Sequence, residues 1–346
     1  MSQVYKIEFN ETVKGPAGEI QPGVYWISKG DMPNFLSAAK PGTWEILDML
    51  AVFPDYWKKS KNKDIIIIRP GGFGDLLFLN PVRYGLISEG YRVTVACLER
   101  FKEFYLKGEA VISYPIKSTP EIDDNIQYAI VCEGQIERNR GYAPEKLCEW
   151  VGIKKTEINY YLEPDEIQFG KDLIKDNCKL DKTITLHCTP STNLRSWPVE
   201  YWGKLIETLS KDYNLLIIGA PGQVRFEHIK NVLNLTYGGG LTFRESASVI
   251  NSSDLFIGID SSQLNIAHAL RVPAIGLYGP VAWQDRSAGD IGHNFNGKAD
   301  CAPCNFHPFG FTEYPEGCSV PSLGYCRALS SITPEMVTNK VRKYLG

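Results

Sequence analysis

The chain has 346 residues, of which 43% are hydrophobic and 22% are charged, and its formal net charge at pH 7 is −3. This length predicts two globular domains of ordinary size, and the small net charge argues against nucleic acid as a general partner. No apolar run reaches the length of a transmembrane helix, and residues 1–10 lack the pattern of a signal peptide. We therefore expect a cytoplasmic protein without a transmembrane segment.

Residues 1–60 precede the first strongly apolar strand. Segments 5–9 and 24–28 are predicted strands separated by a stretch rich in glycine and proline, and segment 44–53 has the pattern of an amphipathic helix. We expect a small β-rich module at this end of the chain.

Four consecutive isoleucines at 65–68 predict a strand buried on both faces of a parallel sheet. A loop follows in which Gly72 and Gly74 permit backbone angles that other residues resist. Asp75 comes next, at the start of a helix predicted to run to about Ser88. Aspartate caps helices well, but the carboxyl ends of parallel strands are also where ligands bind. Spacing alone leaves both roles open for Asp75.

Strands and helices then alternate in two blocks. Predicted strands of the first block lie at 65–68, 93–97, 111–114 and 128–132, and a helix at 145–151 closes it. Those of the second block lie at 183–188, 214–219, 234–235, 254–259 and 274–278. We expect an α/β fold with two Rossmann-like parallel-sheet domains, residues 61–165 and 166–346, that face a cleft.

Positive charge is concentrated in the first block. From Lys58 to Lys107 there are ten Lys or Arg residues against five acidic residues. This excess would attract an anionic acceptor, although such charges are more often a solvated face.

Four of the nine cysteines lie close together near the carboxyl end. Cys301, Cys304, Cys318 and Cys326 have the spacing C-x2-C-x13-C-x7-C, which in a cytoplasmic protein favours a metal over disulfides. A closed thiolate site suits zinc or a single iron, and we expect a structural metal finger at 301–326. The alternative is four reduced thiols packed in a loop.

Four segments occur in an order that is typical of a known family. They are Arg69–Asp75 with its Gly-Asp pair, Arg195–Pro198 with the pattern Arg-x-Trp-Pro, Asp254–Pro280 with Gly-x-Asp-Ser before a helix, and the cysteine segment ending in Ile-Thr-Pro-Glu-x-Val at Val337. Together they resemble glycosyltransferase family 9, the ADP-heptose–lipopolysaccharide heptosyltransferases. The resemblance implies the GT-B architecture, with an acceptor domain followed by a nucleotide-sugar domain. It does not reach residues 1–60.

The resemblance implies an inverting glycosyltransferase that moves heptose from ADP-heptose to an anionic carbohydrate acceptor of the lipopolysaccharide type. Such an acceptor is compatible with peripheral contact with the inner membrane. Relatives that transfer heptose to proteins resemble this chain in a cysteine finger and a β-rich amino-terminal module, so a Ser or Thr of a protein is an alternative acceptor. A non-catalytic nucleotide-sugar-binding protein is a second alternative, which Asp75 argues against.

Within this resemblance Asp75 is the candidate catalytic base for the acceptor hydroxyl, on a loop whose Gly72 and Gly74 would approach the substrates. The sequence contains no Asp-x-Asp motif, so we expect no catalytic divalent metal. The free N–H groups of a helix start, supplemented by a cation, would hold the diphosphate instead.

The expected donor-binding residues lie in the second block. Ser261, Ser262 and Gln263 open a helix after a strand, and Arg195 offers a guanidinium fork for phosphate. Asp260 would bind a sugar or ribose hydroxyl or hold the loop. The remaining expected contacts are Gly219, Tyr278 and Gly279.

One segment departs from the family pattern. The family often has glycine after Asp-Ser and histidine three positions later, where this chain has Ser262 and Asn265. A histidine comes one helical turn further on, at His268, and we expect it to be a packed helix residue.

Overall fold

The computed structural model describes residues 2–10, 12–15, 18–20, 23–28, 44–52, 63–69, 72–107, 109–114, 128–131, 142–154, 157–220, 229–236, 240–287, 293–304, 314 and 316–346. These residues form two compact units, the first ending at Glu157 and the second beginning at Ile158. The Pro70–Gly71 part of the glycine loop lies outside the described residues.

The amino-terminal strands of the first unit pair in antiparallel fashion. Strand β1 (Ser2–Phe9) lies between β4 (Gly23–Ser28) and β5 (Trp44–Val52), while β2 (Val13–Gly15) and β3 (Gly18–Ile20) pair with each other.

The helix predicted for 44–53 is wrong, because Trp44–Val52 is the strand β5. Its ladder with β1 runs from Ser2↔Val52 to Phe9↔Trp44. Apolar residues at Ile46 and Leu50 fit both a helical and an alternating period, and the long ladder with β1 supplies the backbone hydrogen bonds that decide between them.

A parallel sheet follows in the first unit. Its strands β6 (Asp64–Ile68), β7 (Arg92–Leu98), β8 (Val111–Tyr114) and β9 (Tyr128–Val131) lie in the order β8-β7-β6-β9. The isoleucines of β6 are buried, as predicted for a central strand. After β6 the chain builds β7 and β8 on one side and then β9 on the other. The strand order therefore reverses at the carboxyl end of β6.

Among its described residues, the first unit contains three helical segments. These are α1 (Phe73–Ser88), a 3-10 segment (Glu99–Phe104) and α2 (Ala143–Val151). Helix α1 begins within the predicted glycine loop and ends at the predicted residue, and it carries the loop residues Gly74 and Asp75 on its first turn.

The second unit contains a six-stranded parallel sheet with the order β12-β11-β10-β13-β14-β15. The strands are β10 (Thr183–His187), β11 (Asn214–Ile218), β12 (Val232–Asn234), β13 (Leu255–Ile259), β14 (Ala274–Tyr278) and β15 (Phe295–Asn296). The short strand β15 was not predicted. The order reverses between β10 and β13, and the α/β fold with parallel sheets is confirmed.

Eight helices flank or follow this sheet among the described residues. They are α3 (Pro164–Asn177), α4 (Val199–Leu209), α5 (Phe243–Asn251), α6 (Ser262–Ala269), α7 (Trp283–Arg286), α8 (Val320–Leu323), α9 (Arg327–Ser330) and α10 (Pro334–Leu345). None of the described helices is long and apolar enough to cross a membrane.

One buried tryptophan joins the loop after β10 to the carboxyl-terminal segment. The Nε1 of Trp197 donates a hydrogen bond of 2.9 Å to the carbonyl of Ile332. Its ring lies edge-on to Trp202 of α4, with 4.8 Å between the ring centroids. Trp197 thus fixes the Arg-x-Trp-Pro segment, and with it the position of Arg195.

Candidate functional site

The first unit places Asp75 at the reversal point after β6, on the first turn of α1. Gly72 is the N-cap residue of that helix, and its N–H donates a hydrogen bond of 2.8 Å to Oδ2 of Asp75. Arg69, the residue after β6, places Nη2 3.2 Å from Oδ1 of Asp75. Asp75 therefore makes the capping contact that its spacing allowed, and it also forms an ion pair.

The ion pair is buried on the arginine side. Arg69 has no exposed surface, whereas the Asp75 side chain is 17% exposed. A carboxylate has about four lone-pair directions, so two of them stay available after these contacts. The geometry leaves Asp75 accessible to one further partner while its position is held from two sides.

Gly72 has an ordinary extended backbone, with φ −76° and ψ −178°. The expectation that this residue needs the conformational freedom of glycine is therefore wrong. A Cβ at Gly72 would meet nothing within 4 Å. The missing side chain instead leaves open space beside the Asp75 carboxylate.

The second unit presents the start of α6 at its own reversal point. Ser261 is the N-cap residue, and its Oγ accepts a hydrogen bond from the N–H of Leu264 at 3.4 Å. The first helical residues are Ser262 and Gln263. N–H groups of a first turn lack partners within the helix, so this end offers donors to an anion.

Arg195 lies beside this helix start. Its Nη1 donates to the carbonyl of Asp260 at 2.9 Å, and its Nη2 donates to Oγ of Ser191 at 2.7 Å. These bonds hold the guanidinium against the loop that follows β13. The remaining N–H groups of Arg195 are available for a ligand.

Asp260 and Gln263 are both nearly buried at this edge of the sheet. Oε1 of Gln263 is buried without a hydrogen-bond partner among the described residues. Polar atoms this deep normally have a partner, so Gln263 is suited to a polar ligand.

Gly219 follows β11 at the same edge and has φ +151°, a conformation that favours glycine. A Cβ on this residue would lie 3.0 Å from Oγ1 of Thr189 and 3.7 Å from Cδ2 of His187. The loops after β10 and β11 therefore approach each other closely, as expected for a glycine in this position.

Tyr278 and Gly279 lie in the packed interior at the end of β14. The Tyr278 side chain is buried. A Cβ on Gly279 would come within 2.7 Å of Cγ of Leu329 and 3.3 Å of Sγ of Cys326. This pair joins the sheet edge to the cysteine segment, and its contact with a ligand stays a prediction.

His187 is a residue of this edge that the sequence reasoning missed. Its Nδ1 lies 3.1 Å from Oγ of Ser261. Burial, together with the charge of Arg195, lowers the pKa of His187 to about 4. The available signal was a titratable residue at the end of a buried strand.

The structure brings only some of the four carboxyl-terminal cysteines close together. Burial raises the pKa of Cys326, and the nearby thiols of Cys304 and Cys301 raise it as well. Cys301 and Cys304 are exposed, and Cys318 is half-buried. Within the described residues no group of three or more His, Cys, Asp or Glu side chains is arranged to hold a metal ion. The arrangement of the thiols therefore does not by itself fit a closed tetrahedral site.

A protein-family model described as glycosyltransferase family 9 (heptosyltransferase) matches residues 120–292, half of the chain. The chain therefore belongs to glycosyltransferase family 9 and is a glycosyltransferase. The match includes the donor-side segments but begins after Asp75. A comparison with curated protein sequences found no match.

Glycosyltransferases are among the solved structures that share this fold. The family 9 glycosyltransferase of Veillonella parvula is 13% identical, with a TM-score of 0.59, and the match covers 82% of this chain and 97% of that one. The E. coli heptosyltransferase WaaC with ADP is 14% identical, with a TM-score of 0.54 and coverage of 81% and 99%. The iron-containing dodecameric glycosyltransferase TibC of enterotoxigenic E. coli is 13% identical, with a TM-score of 0.60 and coverage of 99% and 91%.

Proposed function

We propose that this glycosyltransferase moves heptose from ADP-heptose to an acceptor hydroxyl with inversion. The acceptor oxygen forms a bond to the anomeric carbon, the bond from that carbon to the diphosphate oxygen breaks, and ADP leaves. Asp75 takes the hydroxyl proton. The observation that carries the proposal is the donor-side arrangement of the second unit, in a chain that belongs to a heptosyltransferase family.

The second unit is suited to bind the donor diphosphate without a divalent metal. The start of α6 offers backbone N–H groups, and Arg195 is fixed beside it by Asp260 and Ser191. Hydrogen bonds from a guanidinium to phosphate are about twice as strong as neutral ones. Structures of WaaC and TibC have been determined with ADP, with a fluorinated ADP-heptose and with ADP-D-β-D-heptose, which supports ADP-heptose as the donor.

The first unit supplies the proposed base. Asp75 is positioned by Arg69 and Gly72, stays partly exposed and has open space next to it. A positioned base of this kind contributes about 10²–10⁴-fold to the rate.

The acceptor has two candidate classes. A lipopolysaccharide-type carbohydrate fits the family, and the E. coli ADP-heptose lps heptosyltransferase II covers 82% of this chain. The heptosyltransferase TibC, whose name refers to no lipopolysaccharide acceptor, covers 99% of it. A protein hydroxyl is the second candidate acceptor.

The test is release of ADP from ADP-heptose by the purified protein, with each acceptor class supplied separately. We expect ADP release that depends on one of them, together with a mass increase of one heptose on that acceptor. Transfer should continue in EDTA. Binding of ADP-heptose without transfer to either class would instead support the non-catalytic alternative. Loss of transfer in EDTA, with recovery in Mg²⁺ while the protein stays folded, would contradict the metal-free donor site.

We propose in addition that Cys301, Cys304, Cys318 and Cys326 bind one structural zinc or iron. The C-x2-C-x13-C-x7-C spacing and the iron-containing TibC structure support this proposal. Elemental analysis should find about one metal ion per chain, and Cys301→Ser should lower stability more than it alters transfer. Absence of both metals would leave four reduced thiols as the correct description.

A further inference from the structure

We infer that His187 is a positioning residue of the donor site, which fixes Ser261 and spaces the loops after β10, β11 and β13 around the nucleotide diphosphate. The inference deepens the proposed function and rests on it. No contact of His187 with the reacting atoms is required, because the imidazole acts through the serine that caps α6.

The first argument is its place in the sheet. His187 is the last residue of β10 and lies in register with Ile218 of β11 and Gly258 of β13. The strand order reverses between β10 and β13. At such a reversal the connecting loops diverge and leave a crevice, which is where ligands of open α/β sheets bind. The His187–Ser261 contact bridges this reversal.

The second argument is the hydrogen bonding of Ser261. Its Oγ lies 3.1 Å from Nδ1 of His187 and accepts from the N–H of Leu264 at 3.4 Å. With one partner on the helix and one on β10, the hydroxyl is held in a single orientation. The direction of the first-turn N–H groups of α6 therefore depends on the imidazole.

The third argument is the space around the ring. A Cβ on Gly219 would lie 3.7 Å from Cδ2 of His187, and a Cβ on Gly258 would lie 3.4 Å from Cβ of His187. The glycine that follows β11 thus leaves room for the ring, and the glycine in β13 leaves room for Cβ of His187. The ring in turn holds the loop after β11 and the loop after β13 at a fixed distance from each other.

The charge of His187 fits this role. Burial and the neighbouring Arg195 favour the neutral imidazole at physiological pH. A neutral ring provides its hydrogen bond to Ser261 without drawing the diphosphate away from Arg195.

The chain contains a matched control on α6, the helix that Ser261 caps. His268 is also buried, burial also lowers its pKa to about 4, and its Nδ1 lies 3.3 Å from Oγ of Ser287. That serine accepts from Asn294, whose side chain bonds the N–H of Gly276 in β14. The His268 network holds the edge of the sheet and does not reach the helix start.

The experiment measures the Kd of ADP by calorimetry, with the Tm of each variant recorded. His187→Phe keeps the ring volume and removes Nδ1, and we expect it to raise the Kd about tenfold, the effect of one lost hydrogen bond of the stronger kind. His187→Asn carries an amide at the Nδ1 position, and we expect its Kd to stay within about threefold of the original value. His268→Phe should lower the Tm about as much as His187→Phe does but should leave the Kd of ADP unchanged.

A double variant tests the route through the serine. Ser261→Ala should raise the Kd, and adding His187→Phe to it should change the Kd little further, because coupled residues are not additive. If His187→Phe does not fold, His187→Gln replaces it, since its amide lies one bond further out and misses Ser261.

The outcomes are distinguishable. ADP binding that is unaffected by His187→Phe or His187→Gln, or an effect fully additive with Ser261→Ala, overturns the positioning role and leaves the proposed function intact. An equal loss of affinity in His268→Phe shows a purely structural role and also overturns it. Failure of the unaltered protein to bind ADP overturns the proposed function and this inference together.

Discussion

In the first unit the reversal point of the sheet carries a buried ion pair, Arg69–Asp75, whereas in the second it carries a hydrogen-bonded serine and a neutral histidine. The difference matches the charge each unit is proposed to handle. The proposed proton acceptor, Asp75, is a carboxylate that has to be held in position, and the buried guanidinium of Arg69 holds it. A diphosphate is met by N–H donors and a guanidinium that are aimed at its oxygens. The two sites thus occupy the same position of their sheets but differ in how charge is arranged.

The largest expected difference between the two units is in their stability at acid pH. Burial lowers the pKa of His187 and His268 to about 4, from an ordinary value of 6.5. The second unit therefore has its full stability above pH 6.5 and loses stability as the pH falls towards 4, because the unfolded chain then binds protons that the folded chain excludes. Protonation linked to each histidine should lower the free energy of unfolding of the second unit by up to about 3 kcal/mol. Residues 1–157 contain no histidine.

Hydrogen exchange followed by mass spectrometry between pH 7 and pH 4.5 measures this difference. We expect β10, β13 and α6 to lose protection before β6 and β7 do. His268→Phe should make the second unit less sensitive to acid. Equal loss of protection in both units would contradict the assignment.

Asp75→Asn should give the largest effect on catalysis. Removing the base should lower turnover by about 10²-fold or more, with ADP binding unchanged. The change also removes the ion pair between Asp75 and the buried guanidinium of Arg69, and breaking a buried pair costs up to about 3–5 kcal/mol. A lower Tm is therefore expected together with the loss of turnover.

Asp64→Asn is the matched control at the other end of β6. It breaks the exposed ion pair with Arg92, in which Nε of Arg92 lies 2.6 Å from Oδ1 of Asp64. We expect little change in Tm and none in turnover, because exposed pairs contribute little. Turnover of Asp75→Asn equal to that of Asp64→Asn would exclude the base role.

Arg195→Ala should weaken ADP binding or turnover by about tenfold to a hundredfold, since a charge-assisted contact contributes roughly 1.5–3 kcal/mol. Arg195→Lys should recover only part, because a point charge cannot bond Asp260, Ser191 and a phosphate in one plane. Titration with salt distinguishes the alternative. If Arg195 only attracts ligands from solution, added salt should remove most of the difference between variant and original protein.

Glycine replacements should give the smallest effects and compare the two sites directly. Gly219→Ala should destabilise the protein by about 1–3 kcal/mol, because φ +151° is strained for alanine and its Cβ would press on Thr189. Gly72→Ala should change stability by less than about 0.5 kcal/mol, since its backbone is ordinary and the space is open. Denaturant unfolding measures both, and a larger loss in Gly72→Ala would contradict the geometry.

Local sequence was sufficient for most of the fold. The isoleucines of β6, the helix after them and the exact bounds of β14 follow from apolar pattern and glycine placement. Trp44–Val52 was misjudged because its apolar residues fit two periods, and only the distant partner β1 decides between them.

The candidate site was predicted less completely, for the same reason. Arg195 and the start of α6 carry local signals. The contact between His187 and Ser261 depends on the parallel register of β10 with β13, which a single strand does not encode. Likewise, no spacing rule states that Asp75 would be both helix cap and ion-pair partner of Arg69.

The hydrogen bond from Trp197 to Ile332 joins positions 135 residues apart. Closing so long a loop is slow, and contacts of high sequence separation dominate the folding time of a domain. The segment that holds Arg195 is therefore fixed late, after the local helices have formed. Recovery of ADP affinity during refolding should lag behind recovery of helix content, so nucleotide binding reports completion of the second unit.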